Sequence, residues 1–141
     1  MHTKQNSAEE GFTLVELLVV LGIIALLAAV VAPQVIRYVS DARVETARVQ
    51  LKNIESALEL YYLDAGQYPT TEQGLEALVT APAGVETWRG PYIKLAKGIN
   101  DPWGQKFGYK QPGDHGAMDV FSLGRDTAVG GEGEDRDIVN W

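Results

Sequence analysis

Two hydrophobic patterns divide this chain. Residues 12–32, FTLVELLVVLGIIALLAAVVA, are apolar on every face, with Glu16 as the single charge. Beyond Pro33 the apolar positions thin to one stripe, in which Val44, Ala47, Leu51, Ile54, Leu58 and Tyr61 step by three or four. That spacing puts them on one face of a helix, as the seam on which a domain packs. At about 1.5 Å per residue, the first run spans the roughly 30 Å core of a bilayer. Together the patterns predict one helix from residue 12 to about 63. Its first half crosses a membrane, its second half is amphipathic, and it bends near Pro33, whose ring removes a backbone donor. Glu45 with Arg48 and Lys52 with Glu55 form i,i+3 charge pairs on the wetter faces.

Asp64-Ala65-Gly66 ends this helix, glycine being the usual residue just past a helix C-terminus. Thr70 and Gln73 have the form of a capping box and predict a short helix over 71–79. Turn residues then punctuate the chain at Gly90-Pro91, Asp101-Pro102-Trp103-Gly104 and Gln111-Pro112-Gly113-Asp114. Between them lie strand candidates at 92–95, 107–110 and 118–123. Short antiparallel strands over the amphipathic half of a long helix make an α+β fold.

The chain has 141 residues, room for one compact domain and an anchor. It has no cysteine, which excludes a disulfide framework and a thiolate metal site. A net charge of -7 without a basic run excludes nucleic-acid binding, because phosphate contacts need clustered Lys and Arg. No nucleophile–base pair stands out. His115 sits in a turn beside Asp114 and reads as simply exposed, while Asp119 and Asp126 read as solvated or metal-bound acids. The chain is therefore read as a non-enzyme, with a tethered periplasmic enzyme as the distant alternative.

An ordinary secretory signal does not explain residues 12–32: the run is too long, and Pro33-Gln34-Val35 is not a small-x-small cleavage site. A generic anchor leaves Glu16 unexplained except by snorkelling, since a carboxylate in hydrocarbon is costly unless paired. The motif Gly11-Phe12-Thr13-Leu14-Val15-Glu16 resembles the processing site of the type IV pilin and pseudopilin superfamily. In that family a prepilin peptidase cuts after the glycine and the new N-terminus is methylated. A glutamate stands fifth in the mature chain, as Glu16 does counting from Phe12. The resemblance implies a leader over 1–11, a span over 12–32, an amphipathic continuation over 33–64 and a head over 65–141. It also implies an assembly role for Glu16, offset by the Phe12 ammonium of a neighbouring copy. The leader departs from the family's basic pattern, with Lys4 facing Glu9 and Glu10; orientation rests on the Lys and the free amine.

In the head, GQYPTTEQGLEAL, NDPWGQKFGY and FSLGRDTAVGGEGEDRDIVNW resemble the major pseudopilin of type II secretion, the general secretion pathway protein G family. The lack of cysteine agrees, since many type IV pilins, the runner-up family, close this region with a disulfide. The resemblance implies a pilin-like fold and a helical homo-oligomeric pseudopilus in the periplasm of a Gram-negative bacterium, anchored in the inner membrane. Implied partners are minor pseudopilins, the prepilin peptidase and the inner-membrane assembly platform. The resemblance implies further that a cytoplasmic ATPase supplies the energy for export of folded proteins.

Asp126, Glu132, Glu134, Asp135 and Asp137 crowd one loop with Gly130, Gly131 and Gly133, facing only Arg125 and Arg136. A solvated acidic loop is the plain reading, and the spacing is not that of an EF-hand. Ca²⁺ takes about six to eight oxygens, carboxylate and carbonyl alike, and glycine lets a chain wrap closely enough to supply them. The resemblance implies such a calcium site. By motif its ligands are the Leu123 carbonyl, Asp126 and Asp137, with Asp135 where loop length varies. Zn²⁺ is disfavoured for want of cysteine and of a second histidine beyond the leader.

Overall fold

The computed structural model describes residues 11–141, in which the part up to Tyr38 and the part Val39–Trp141 are separate compact units. Helix α1 covers Leu14–Ala65, 52 residues, and Pro33 lies inside it without ending it. Up to Tyr38 its side chains are exposed on every face, Leu14, Leu21, Leu27 and Val31 among them. The run is long and apolar enough to cross a membrane. Apolar surface on that scale calls for a membrane or a protein partner.

In the unit Val39–Trp141 the predicted stripe is the core. Ala47, Leu51, Ile54, Leu58 and Tyr61 are buried, and Val44 is half-buried against them. Leu75, Leu78, Ile99, Phe107, Val120 and Ile138 close over that face. Each large side chain withdrawn from water in this way contributes about 1.5–3 kcal/mol. The helix stops where expected: Gly66 takes φ +75° and donates its N–H to the Tyr62 carbonyl at 2.8 Å.

Three strands follow: β1 at Gly108–Lys110, β2 at Asp119–Ser122 and β3 at Ile138–Val139. They pair antiparallel in the order β1-β2-β3, with Tyr109 opposite Val120 and Phe121 opposite Val139. The architecture is the expected α+β one, a long helix and a small antiparallel sheet.

Three details differ from the expectation. The Thr70–Gln73 capping box forms, with Thr70 N–H on Gln73 Oε1 at 2.9 Å and Gln73 N–H on Thr70 Oγ1 at 3.2 Å. It opens a turn and a 3₁₀ segment, Leu75–Leu78, rather than a helix over 71–79. Gly74, at φ 62° and ψ -168°, breaks the helical path. Residues 92–95 are not a strand. The N–H groups of Tyr92 and Ile93 both donate to the Leu78 carbonyl, at 2.8 and 3.1 Å, and their side chains pack on the core. A short 3₁₀ segment, Ala96–Ile99, follows. The strand β3 was not anticipated.

Candidate functional site

Gly11 and Phe12 precede α1 in non-helical backbone, and Phe12 is 85% exposed. The next residues make a capping box. Thr13 donates its N–H to Glu16 Oε2 at 2.8 Å, and Glu16 N–H donates to Thr13 Oγ1 at 3.2 Å. The reciprocal pair satisfies two of the unpaired donors at the helix start. The Thr13 hydroxyl also donates to Oε2, at 3.1 Å. Glu16 thus has a local partner within its own chain, and its carboxylate remains exposed at the head of the apolar run.

The acidic loop grows from the end of β2. Its root is a buried carboxylate: Asp101 Oδ1 accepts the N–H groups of Trp103 (3.1 Å) and Gln105 (2.9 Å), and Oδ2 accepts the Ser122 hydroxyl at 2.6 Å. Ser122 Oγ in turn accepts Gly124 N–H at 3.2 Å. Gly124 has φ +71°, and a Cβ there would lie 2.6 Å from the Glu134 carbonyl oxygen. Only glycine lets the two limbs of the loop approach so closely. Arg125 N–H donates to that same Glu134 carbonyl at 2.8 Å.

The expected ligands fall into two groups. Asp126 Oδ1 accepts Ala128 N–H at 3.1 Å, and Asp137 Oδ2 accepts Gly130 N–H at 2.9 Å. Asp137 Oδ1 is buried with no hydrogen-bond partner, a costly position for a carboxylate oxygen. Leu123 and Asp137 line one cavity of about 200 Å³, walled by Phe121, Val129, Val139 and Trp141. Thr127 beside Asp126 has φ 57°, a strained conformation for a β-branched residue. Asp135 stands apart. Arg125 Nε donates to its Oδ1 at 2.9 Å and Nη2 to its Oδ2 at 3.0 Å. These bonds lead the effects that raise the Arg125 pKa, with smaller attractions to Glu134 and Asp126. Among the described residues no three acidic or histidine side chains converge on one point. The site nonetheless fits a hard cation in two respects: its donors are all oxygens, and one of them is buried and unpaired.

Glu134 was legible in the sequence only as one acid of the loop, without a role, yet its side chain is only 12% exposed. Oε1 accepts Arg43 Nη1 at 3.3 Å and Trp103 Nε1 at 3.4 Å, and Oε2 accepts Arg125 Nη1 at 3.2 Å. His115 is exposed, as read, but its ring has partners. Its Nδ1 lies 3.0 Å from Asp119 Oδ2, and its ring stacks on Trp141 with centroids 4.0 Å apart. Asp114, its neighbour in sequence, pairs instead with Lys110 at 2.5 Å.

The model of the family described as type II secretion system (T2SS), protein G, matches residues 34–141. That of the prokaryotic N-terminal methylation motif matches residues 6–32. A type II secretion system core protein G of Vibrio cholerae is 45% identical, the match covering 98% of this chain and 95% of the relative. Its counterpart from Pseudomonas aeruginosa is 44% identical, covering 97% and 98%. The crystal structure of the major pseudopilin from enterohaemorrhagic Escherichia coli superposes with a TM-score of 0.60 at 37% identity, covering 72% of this chain and 88% of that one. With an N-terminal processing motif, an exposed apolar helix and this head, the chain belongs to the type II secretion system protein G family.

Proposed function

We propose that the chain is the major structural subunit of the periplasmic pseudopilus of a type II secretion system. Its leader, 1–11, is removed between Gly11 and Phe12 by a prepilin peptidase, and Phe12 is N-methylated. A single span then holds it in the inner membrane of a Gram-negative bacterium with its head in the periplasm. Copies assemble into a helical filament on an inner-membrane platform, with minor pseudopilins at the tip, and the filament drives folded proteins across the outer membrane. The carrying observation is the part of α1 up to Tyr38, apolar and exposed on all sides. Hydrocarbon satisfies it before assembly, and close packing with other copies satisfies it afterwards. Within that packing Glu16 offsets the Phe12 ammonium of a neighbour, beyond its own bond to Thr13.

Calcium supplies the acidic loop with a divalent charge that draws carboxylate and carbonyl oxygens together. The Leu123 carbonyl, Asp126 and Asp137 would hold it, and the unpaired Oδ1 of Asp137 is the feature that favours this. Asp135 joins that set only by releasing Arg125.

The test is complementation. In a strain whose own protein G gene is deleted, but with the other secretion components intact, this chain restores export and yields filaments that shear from the cells. Stable, membrane-inserted protein that restores neither contradicts the proposal.

A further inference from the structure

We propose that Glu134 is the positioning residue of the acidic loop, docking it on α1 and on the Asp101–Gly104 turn whether or not a cation is bound. The five acids of the loop differ in where their bonds lead. Asp126 and Asp137 accept backbone N–H groups from within the loop, and Asp135 is held by Arg125, also a loop residue. Glu132 has no side-chain bond among the described residues. Glu134 alone reaches outside. Arg43 comes from α1, 91 positions away, and Trp103 from the turn, 31 positions away, and both donate to its Oε1.

The arrangement explains how one carboxylate holds three segments. Arg43 and Arg125 are each about half exposed, so solvent screens their charges and neither pair is strong alone. The Trp103 indole is less accessible, its N–H direction is fixed by the packed ring, and it ties Oε1 to one place. The backbone bond from Arg125 N–H to the Glu134 carbonyl then clamps the two limbs, and Gly124 leaves room for it. Leu123 on one limb and Asp137 on the other, which line one cavity, are thereby held at a separation set by Glu134.

For calcium this rests on the proposed ligand set; the docking itself does not. A pre-set loop spends less of the ion's binding energy on ordering. Loss of a partner that orients metal ligands typically costs roughly 10–100-fold in metal affinity, and that is the drop expected for Glu134→Ala.

The experiment uses the processed full-length chain in detergent, with calorimetric calcium titration and trypsin cleavage after Arg125 and Arg136 in chelator. Glu134→Ala keeps one calcium per chain at weakened affinity. In chelator its loop is cut about tenfold faster than that of the wild type, with Trp103 emission shifted to the red. Glu134→Gln, which keeps the acceptor for Trp103, recovers part of the protection. Should Glu134→Ala not fold, Trp103→Phe and Arg43→Gln each remove one donor and must each speed cleavage. If the wild type binds no calcium but the variant is still cut faster, the ligand assignment fails and the docking role stands. Equal cleavage of wild type and Glu134→Ala in chelator overturns the proposal, even if calcium affinity falls, because Glu134 would then act only as a ligand.

Discussion

Arg125 grips both oxygens of Asp135 in a fork, at 2.9 and 3.0 Å, so one acid of the loop is neutralised by the protein itself. Such bidentate pairs have strict geometry and are stronger than single-point contacts. Of the five acids, Glu134 and Asp135 are therefore held by arginine, Asp126 and Asp137 are not and are the two proposed as cation ligands, and Glu132 makes no side-chain bond among the described residues.

That division predicts different responses to calcium. A ligand that binds only the folded state adds about 2.7 kcal/mol when present at a hundred times its Kd. For a head of this size that raises Tm by about 10 °C. Asp126→Ala and Asp137→Ala lose this response, and Glu132→Ala keeps it. Asp135→Ala destabilises the chain equally with calcium and with chelator, because what it loses is the Arg125 fork. Thermal melts of the four variants in both conditions check the pattern.

At the N-terminus, the capping bond of Glu16 and its proposed role in assembly can be tested separately. Glu16→Gln keeps an acceptor for Thr13 N–H, whereas Glu16→Ala removes the glutamate half of the capping box and leaves Thr13 as the cap. Both variants insert in the membrane. If charge pairing with a neighbour's Phe12 is what assembly needs, both are depleted in sheared filaments. Normal filaments from Glu16→Gln would assign the residue to capping alone.

The reading of α1 from sequence succeeded because its information is local and periodic. Six stripe positions fall on one helical face, and Gly66 sits where the path must turn left-handed. Residues 92–95 misled because aromatic and β-branched composition reports burial, and Tyr92 and Ile93 are packed on the core without pairing to a strand. Strand β3 is two residues long, too short for any alternation to show. The Thr13–Glu16 box was present as a Thr-x-x-Glu pattern, but Glu16 was read for assembly only. The acid cluster was plain from composition. Which acid docks the loop was not, because Arg43 and Trp103 reach Glu134 only in the folded chain.

The loop root offers a test of packing. Ser122→Ala leaves Asp101 Oδ2 without its donor and Gly124 N–H without its acceptor, in a buried place. Leaving such groups unpaired costs about 1–3 kcal/mol. Gly124→Ala should be worse, since its Cβ meets backbone that cannot rotate away. Denaturant unfolding of both variants should rank them in that order.

Acid should weaken the head through Asp119. Burial alone would raise its pKa. Hydrogen bonds from the His115 ring and from the N–H groups of Asp114 and His115 outweigh that and hold it below its ordinary 3.8. A lowered folded pKa gives stability that is present above 3.8 and lost as pH falls through the folded value. Unfolding curves between about pH 5 and 2 should show the wild type losing stability more steeply than Asp119→Asn, whose amide does not titrate there. Parallel curves would remove Asp119 from the account.

The most direct test of the account is the intact mass of the chain extracted from membranes of cells carrying a prepilin peptidase. The account predicts a chain that begins at Phe12 and carries one added methyl group. A chain that begins at Met1, or one cut after Ala32, would contradict it.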